Sequence, residues 1–474
     1  MKNEFKIVLL SPKGPLYRHK GGIFGRGLRY LPLTLPTLAA LVPRELEASV
    51  LCIDEGVENI PDELDADLIG ITVITGTAPR AYMLADHFRN RGIPVVLGGP
   101  HVTLVPEDAA PHADSIVIGY AEEEWPRLLR DFIRGTMAPV YRQSPDLKLE
   151  GFPPPDRSVM KSGRYLTRNT IEATRGCPHV CSFCVVPYAW GGQLLHRPVC
   201  EVVNDISAMK SRRVLFLDLN LIGDRDYACA LFRALIPLHI QWFGLSTIRI
   251  SDDPELLALA AASGCRGLLI GFESLSSGSL REVSKGFNHP EEYAKAAKTL
   301  HGAGIAIQGC FVFGLDEHTS EVFMRTAKFA VDIGIDLPRF AVLTPFPGTG
   351  LFRRLEDEGR IRHRNWELYD GQHVVFQPKQ LSVDELQAGI ERAWLYAYRW
   401  TSIGKRLSKS AAPLPVAVVS NLGYRFYARR LHRFYNCDWP LAAGMTEHAR
   451  AMITRGQKSA ASAGDDSLNI VGRA

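Results

Sequence analysis

The stretch Ile171-Glu172-Ala173-Thr174-Arg175-Gly176-Cys177-Pro178-His179-Val180-Cys181-Ser182-Phe183-Cys184 runs from an apolar strand candidate into a loop that carries three cysteines within eight residues. Thiolates are soft ligands suited to iron–sulfur clusters, and one short loop supplies several of them at little extra closure entropy. Three ligands leave one iron open. A closed zinc site would instead need a fourth nitrogen or sulfur ligand, for which His179 inside the loop and Cys200 beyond it are the nearby candidates.

Downstream of this loop, strand candidates at 214–217, 242–248, 267–272, 305–313 and 339–343 alternate with helical patterns such as 253–262 and 290–303. Repeated strand–helix units of this length predict a partial or complete (β/α) barrel with its ligands at the carboxyl ends of the strands. From residue 382 onward the pattern is helical. Between Arg399 and Arg433 lie eight Lys or Arg and no acid, interleaved with Trp400, Tyr424, Phe426 and Tyr427. That stretch reads either as a solvated face packed on the barrel or as a peripheral contact with an anionic lipid surface or an acidic substrate group. Residues 457–474 are small and polar, the composition of a disordered tail.

Upstream, apolar runs at 5–10, 49–53, 68–74, 94–97 and 115–118 alternate with helical stretches at 33–46 and 80–91. This is the signature of a parallel, doubly wound, Rossmann-like sheet. Small and polar residues follow the strands, in Thr75-Gly76-Thr77, Gly98-Gly99-Pro100-His101 and Gly119-Tyr120, where such sheets bind ligands. No G-x-G-x-x-G follows the first strand, which disfavours a nicotinamide dinucleotide. Pro153-Pro154-Pro155 breaks helix and strand alike, so the chain divides into an N-terminal domain (1–145), a second α/β domain (165–375) and a helical C-terminal region (376–474).

The bulk properties fit this division. A chain of 474 residues exceeds one core, and 46% hydrophobic with 22% charged residues is an ordinary globular composition. A net charge of +4 is too small to argue for nucleic acid as a partner. The start of the chain lacks a signal-peptide pattern, and the apolar stretch 411–419 is short and holds two prolines, so the expected location is cytoplasmic without a spanning helix. Nine cysteines do not form a disulfide framework here, since Cys52, Cys229, Cys265 and Cys437 stand alone and Cys310 reads as a small core residue.

The C-x-x-x-C-x-x-C spacing, with Arg175-Gly176 before it and Phe183 within it, resembles the signature of the radical S-adenosylmethionine (radical-SAM) superfamily. The resemblance implies that Cys177, Cys181 and Cys184 hold a 4Fe-4S cluster and that the open iron is chelated by S-adenosylmethionine. An electron then cleaves the cofactor to a 5'-deoxyadenosyl radical, which abstracts a hydrogen atom from the substrate. It further implies cofactor contacts at Phe183, at Asp218 beside Asn220, at Arg249 as a partner for the methionyl carboxylate, at Glu273 in Gly271-Phe272-Glu273-Ser274, and at Gln308 on the strand that flanks adenine. An external flavodoxin- or ferredoxin-type donor would supply the electron. Since the initial step moves a hydrogen atom, no catalytic acid or base is assigned.

The N-terminal domain resembles the cobalamin-binding (B12-binding) domain of one branch of that superfamily, in Val95-Val96-Leu97-Gly98-Gly99-Pro100-His101-Val102-Thr103 and in the segment from Ile116 to Glu124. Leu343-Thr344-Pro345-Phe346-Pro347-Gly348 extends the likeness. The implied cobalamin contacts are Thr75, Gly76, Gly98, Gly99, Gly119 and Glu122. The chain lacks the D-x-H-x-x-G motif that gives cobalt a histidine, and the usual G-E-G-E turn is here Gly119-Tyr120-Ala121-Glu122. Most in keeping with the branch is cobalamin-dependent C-methylation of a lipid-like, tetrapyrrole or natural-product molecule. The alternatives are a non-methylating radical cyclisation, rearrangement or oxidation, and a non-catalytic iron–sulfur scaffold.

Overall fold

The structure, a computed structural model, describes residues 4–14 and 30–431. Cys437, Arg433 and the tail 457–474 lie outside the described residues. The N-terminal unit is a six-stranded, all-parallel sheet in the order β2-β1-β3-β4-β5-β6. Its strands are β1 (Lys6–Ser11), β2 (Ser49–Asp54), β3 (Leu68–Thr72), β4 (Val95–Gly98), β5 (Ser115–Ile118) and β6 (Val140–Arg142). Continuous apolar strands such as Ser115–Ile118, buried throughout, are what a parallel sheet covered by helices on both faces requires. The edge strand β6 is only three residues long and mostly exposed, so it carries no apolar run to announce it. The expected helix over 33–46 is instead Thr34–Ala40 followed by a separate turn, Arg44–Leu46, because Pro43 removes a backbone donor between them.

The second sheet is also parallel, in the order β7-β10-β11-β12-β13-β14, and forms an open, partial (β/α) barrel. Its members are β7 (Thr170–Ile171), β10 (Arg213–Phe216), β11 (Gln241–Ser246), β12 (Cys265–Glu273), β13 (Ala306–Phe313) and β14 (Arg339–Val342). Between β7 and β10, a small antiparallel pair, β8 (Thr174–Arg175) and β9 (Leu195–His196), closes the base of the cysteine loop. Strand β11 stops at Ser246, and the chain turns through Ile248–Asp252 where the sequence predicts continued strand. Alternation on β13 sends Ile307, Gly309, Phe311 and Phe313 into the surrounding core and Ala306, Gln308, Cys310 and Val312 toward the barrel interior.

Two features tie the units together. After β14 the chain returns to the N-terminal domain, where Phe352, Trp366, Tyr369 and Val375 join the core beneath β3 and β4, and the Trp366 indole N–H donates to Asp108 (3.0 Å). The C-terminal helices then pack on the barrel. Trp394, on the helix Val383–Ala397, donates to the Phe340 carbonyl (3.0 Å), and the basic stretch is largely engaged with the protein itself. Arg406 is fully buried and donates to Ala397 and Asn421, Arg425 donates to the Tyr398 carbonyl (2.7 Å), and Lys405 and Lys409 both reach Asp332 (2.6 Å each). Packing on the barrel thus accounts for these four basic residues. Among the described residues no helix is long and apolar enough to cross a membrane.

Because Trp366 fills the core shared by the N-terminal sheet and the returning segment, Trp366→Ala is expected to cost about 3–5 kcal/mol. A lowered urea midpoint for unfolding of the N-terminal domain checks it.

Candidate functional site

The chain's own backbone and side chains fix the course of the cysteine loop. Gly176 sits at φ +87, and a Cβ there would lie 2.2 Å from the Gln193 carbonyl oxygen, so only glycine passes between β8 and the strand returning toward β9. Asp218, at the end of β10, is fully buried and accepts from Ala173 N (3.1 Å), Thr174 N (2.5 Å) and the Thr174 hydroxyl (2.8 Å). Burial pushes its carboxyl up to about 7 against the opposing pull of the Thr174 hydroxyl. Asp218 therefore braces the entry of the loop. Ser182 N donates to Val283 O (3.1 Å) and Ser182 O accepts from Leu351 N (2.9 Å), which anchors the far side of the loop.

The three thiols are close enough to disfavour one another's ionisation. Burial pushes the Cys181 thiol up to about 11; the neighbouring Lys285 ammonium opposes this, while Cys184, Glu273 and Cys177 add to it. Cys184 is raised for the same leading reason. Asn220 points its amide N–H at the Cys177 sulfur (3.8 Å), and its buried Oδ1 has no partner among the described residues. The donor set fits a cluster. His179 is stacked on Phe287 (4.0 Å between centroids), Cys200 lies exposed on the helix Val199–Ala208, and no group of His, Cys, Asp and Glu among the described residues converges on the position of a single ion. Cationic iron is what three such thiols need in order to ionise together.

Glu273 ends β12 in the left-handed region at φ +60, a conformation that side chains other than glycine rarely adopt. Its carboxylate pairs with Lys285 (2.5 Å), and a Cβ at Gly271 would lie within 2.2 Å of the Glu273 oxygen and 2.7 Å of the Lys285 nitrogen. Gly271 thus makes room for the pair. Burial opposes the Lys285 charge, but Glu273 and the Cys181 and Cys184 thiols outweigh it and raise its proton affinity. Lys285 was not singled out from the sequence, since it lies in a turn with no spacing signal. Arg249 is exposed on the turn after β11, 3.3 Å from Asp252, and close enough to the loop to influence His179. Phe183 is partly buried and packs on the barrel core.

A cavity of about 1040 Å³ runs between the two sheets. Gly98, Gly99, Gly119 and Glu122 line its N-terminal end, Leu215, Phe243, Leu245 and Leu269 its middle, and Gln308, Arg339 and Tyr424 its far end. A side branch enters the N-terminal domain past Leu38, Val117 and Trp125. There Gly70 lets the Leu9 and Trp125 side chains close in, since a Cβ at this position would meet them at 2.8 and 3.3 Å. An apolar cleft floored by glycine backbone suits a large, flat cofactor such as cobalamin. Thr75 and Gly76 do not line it: Thr75 is buried against His101 (3.3 Å) and Gly76 packs against Gly14. His101 is fully buried between Thr75 and Asp108 (3.3 Å), so it does not face the cavity. Cys310 is partly buried. It shares the inward face of β13 with Ala306 and Gln308, both of which line the cavity.

Glu122 joins the two domains. It is buried and paired with Arg175, the last residue before Gly176, which also reaches Glu172 (3.0 Å). Burial works against the Arg175 charge, but Glu122 and Glu172 outweigh it and push its proton affinity up. The same guanidinium covers the Tyr120 ring (4.9 Å), and Tyr120 stacks on Trp190 with their planes 2° apart.

Two family descriptions match the chain, "Radical SAM superfamily" over residues 171–343 and "B12 binding domain" over residues 32–129. Bacteriochlorophyllide d C-12(1)-methyltransferase of Chlorobaculum tepidum is 32% identical over 417 residues, 86% of this chain and 90% of that protein. Bacteriochlorophyllide d C-8(2)-methyltransferase of the same organism is 30% identical, over 78% of this chain and 86% of that one. The structure of the radical S-adenosylmethionine methyltransferase TsrM from Kitasatospora setae, with cobalamin and a [4Fe-4S] cluster bound, shares the fold at a TM-score of 0.60 and 16% identity. That match covers 75% of this chain and 78% of TsrM.

Removing one partner of a buried ion pair strands the other. Arg175→Met is expected to cost about 3–5 kcal/mol, and Glu122→Met in the same chain to recover roughly half of it. Denaturant unfolding of both single variants and the double variant, read as a cycle, checks the coupling.

Proposed function

The chain belongs to the radical SAM superfamily, in the branch that carries a B12-binding domain ahead of the barrel, and on that premise we propose that it is a cobalamin-dependent methyltransferase. Its substrate in this reading is a tetrapyrrole or lipid-like molecule that is methylated at an unactivated carbon. The observation that carries the reading is the shared cavity. The glycine-floored edge of the N-terminal sheet and the interior of the barrel open into the same apolar space, so a methyl source and a radical source can act on one bound molecule.

When bound, the cluster with S-adenosylmethionine supplies hydrogen-atom abstraction, and cobalamin supplies a transferable methyl group. The chain's own residues bind, orient and exclude water. Cys177, Cys181 and Cys184 hold the cluster. Lys285, balanced by Glu273, is a cation beside Cys181 and Cys184 that offsets the negative charge of a thiolate-ligated cluster. Glu273 accepts from the hydroxyl or amino groups of S-adenosylmethionine, and Arg249 at the mouth offers a planar donor for its carboxylate. Gly98, Gly99 and Gly119 floor the cobalamin side. Leu215, Phe243, Leu245 and Leu269 keep water from a carbon radical, which requires a dry wall and no proton-transfer residue. A flavodoxin- or ferredoxin-type protein supplies the electron. The two bacteriochlorophyllide methyltransferases, each at least 30% identical, support tetrapyrroles as the substrate class.

Anaerobic reconstitution with iron, sulfide and hydroxocobalamin, followed by desalting and product analysis with S-adenosylmethionine and a reductant, tests the reading. Retained cobalamin with both 5'-deoxyadenosine and S-adenosylhomocysteine is expected; 5'-deoxyadenosine without retained cobalamin would point to non-methylating radical chemistry. In the same assay Cys177→Ala, Cys181→Ala and Cys184→Ala should each lose the cluster absorbance. Glu273→Ala should keep it and bind S-adenosylmethionine on the order of tenfold more weakly.

A further inference from the structure

The cavity lining contains three acids, Glu122, Glu172 and Asp336, and two arginines, Arg175 and Arg339. All three acids are already engaged. Glu122 and Glu172 both pair with Arg175, while Asp336 accepts from Ile307 N (2.8 Å), contacts His301 Nε2 (2.8 Å) and accepts from the Ser410 hydroxyl. Arg339 is left over. Among the described residues it has no ion pair or hydrogen bond, although it lies inside the barrel. It is exposed and lines the cavity wall; the surrounding protein works against its charge through burial, but the neighbouring groups outweigh this and raise its proton affinity.

The groups around it are neutral. They are the Tyr424, Tyr427 and Tyr398 phenols and the Cys310 thiol, which burial pushes up to about 11. Of these, Tyr424 is placed to assist: its oxygen accepts from Gln308 Nε2 (2.5 Å), which leaves its own O–H to be donated. Strand register pairs Arg339 with Cys310 and Cys310 with Gly271, so Arg339 stands one inward-facing level below Glu273 on the barrel wall. A guanidinium on a cavity wall with no partner among the described residues is free to take one from a ligand, and its planar fork matches a carboxylate in a bidentate arrangement.

We propose that Arg339, with Tyr424 beside it, binds a carboxylate of the substrate, which is therefore an amphiphilic acid held by its anionic end within the barrel. Its apolar body lies along Phe243, Leu245 and Leu269 toward Gly98 and Gly119. This deepens the methyltransferase reading and rests on it for the identity of the occupant, but the anion site stands on the cavity's own charge balance. The carboxylate of S-adenosylmethionine is the competing source of negative charge. It is assigned to the mouth, where Arg249 and the cysteine loop lie, above the level of Arg339.

The test is isothermal titration of the full chain, with its cluster reconstituted, using two pairs of probes that differ in the anion: bacteriochlorophyllide d against its methyl ester, and octanoate against octanamide. The acids are expected to bind on the order of 10- to 100-fold more tightly than their neutral counterparts. Arg339→Gln should abolish the preference and Arg339→Lys should restore part of it, while S-adenosylmethionine binds all three proteins equally. Binding of octanoate through Arg339 without binding of bacteriochlorophyllide d would keep the anion site and overturn the tetrapyrrole reading. A preference that survives Arg339→Gln, no binding of either acid, or a matching loss of S-adenosylmethionine affinity in Arg339→Gln would overturn the proposal.

Discussion

The site depends on one buried ion pair, Arg175 with Glu122, because it fixes the cysteine loop against the edge of the other domain. Arg175 is the last residue of β8 and precedes the glycine at which the loop begins, while Glu122 lies just after β5, so any sliding of one sheet against the other must break this pair. A buried pair of this kind adds little net stability over an apolar replacement, yet leaving either charge alone is expensive. Its effect is specificity of placement. The Tyr120 and Trp190 rings stacked beside it extend the same restraint in an apolar form.

A second restraint acts on the loop from behind. Asp218 gathers the backbone of Ala173 and the backbone and hydroxyl of Thr174, and Gly176 then passes where no side chain fits. Together they set the direction in which Cys177 leaves the sheet. Opposite, Gly271 lets the carboxylate of Glu273 and the ammonium of Lys285 meet over the end of β12, at the cost of a strained backbone at Glu273. The thiols and this pair influence one another's charge, so the loop and the strand end form one electrostatic unit although they are distant in sequence.

Much of this was legible in the sequence where the signal is local. Continuous apolar strands announced both parallel sheets, and the cysteine spacing announced the loop. What could not be read were roles set by long-range partners. Asp218 at a strand end reads as a ligand contact until the two neighbouring amides that occupy it are known, and Thr75 reads as cavity wall until His101 is seen beside it. Lys285 and Arg339 had no motif at all, because a lone cation gains meaning only from the company that the fold gives it.

The openness of the barrel gives that company its importance. Six strands leave a gap that the N-terminal sheet edge and the helix Leu414–Ala428 flank, so the interior is neither a packed core nor bulk solvent. In such a space apolar walls raise the energy of every unpaired charge, and the same walls protect a carbon radical from water. A charge retained there without an internal partner is consequently selective: it favours molecules that bring the opposite charge to that level and an apolar body to the rest. Arg339 stands on the barrel wall one level below Glu273, so a molecule anchored at Arg339 has its apolar part directed along the cavity toward the glycine-floored edge. Anchoring by charge at one end and by shape along the remainder fixes which carbon meets both reaction partners, without any residue touching that carbon.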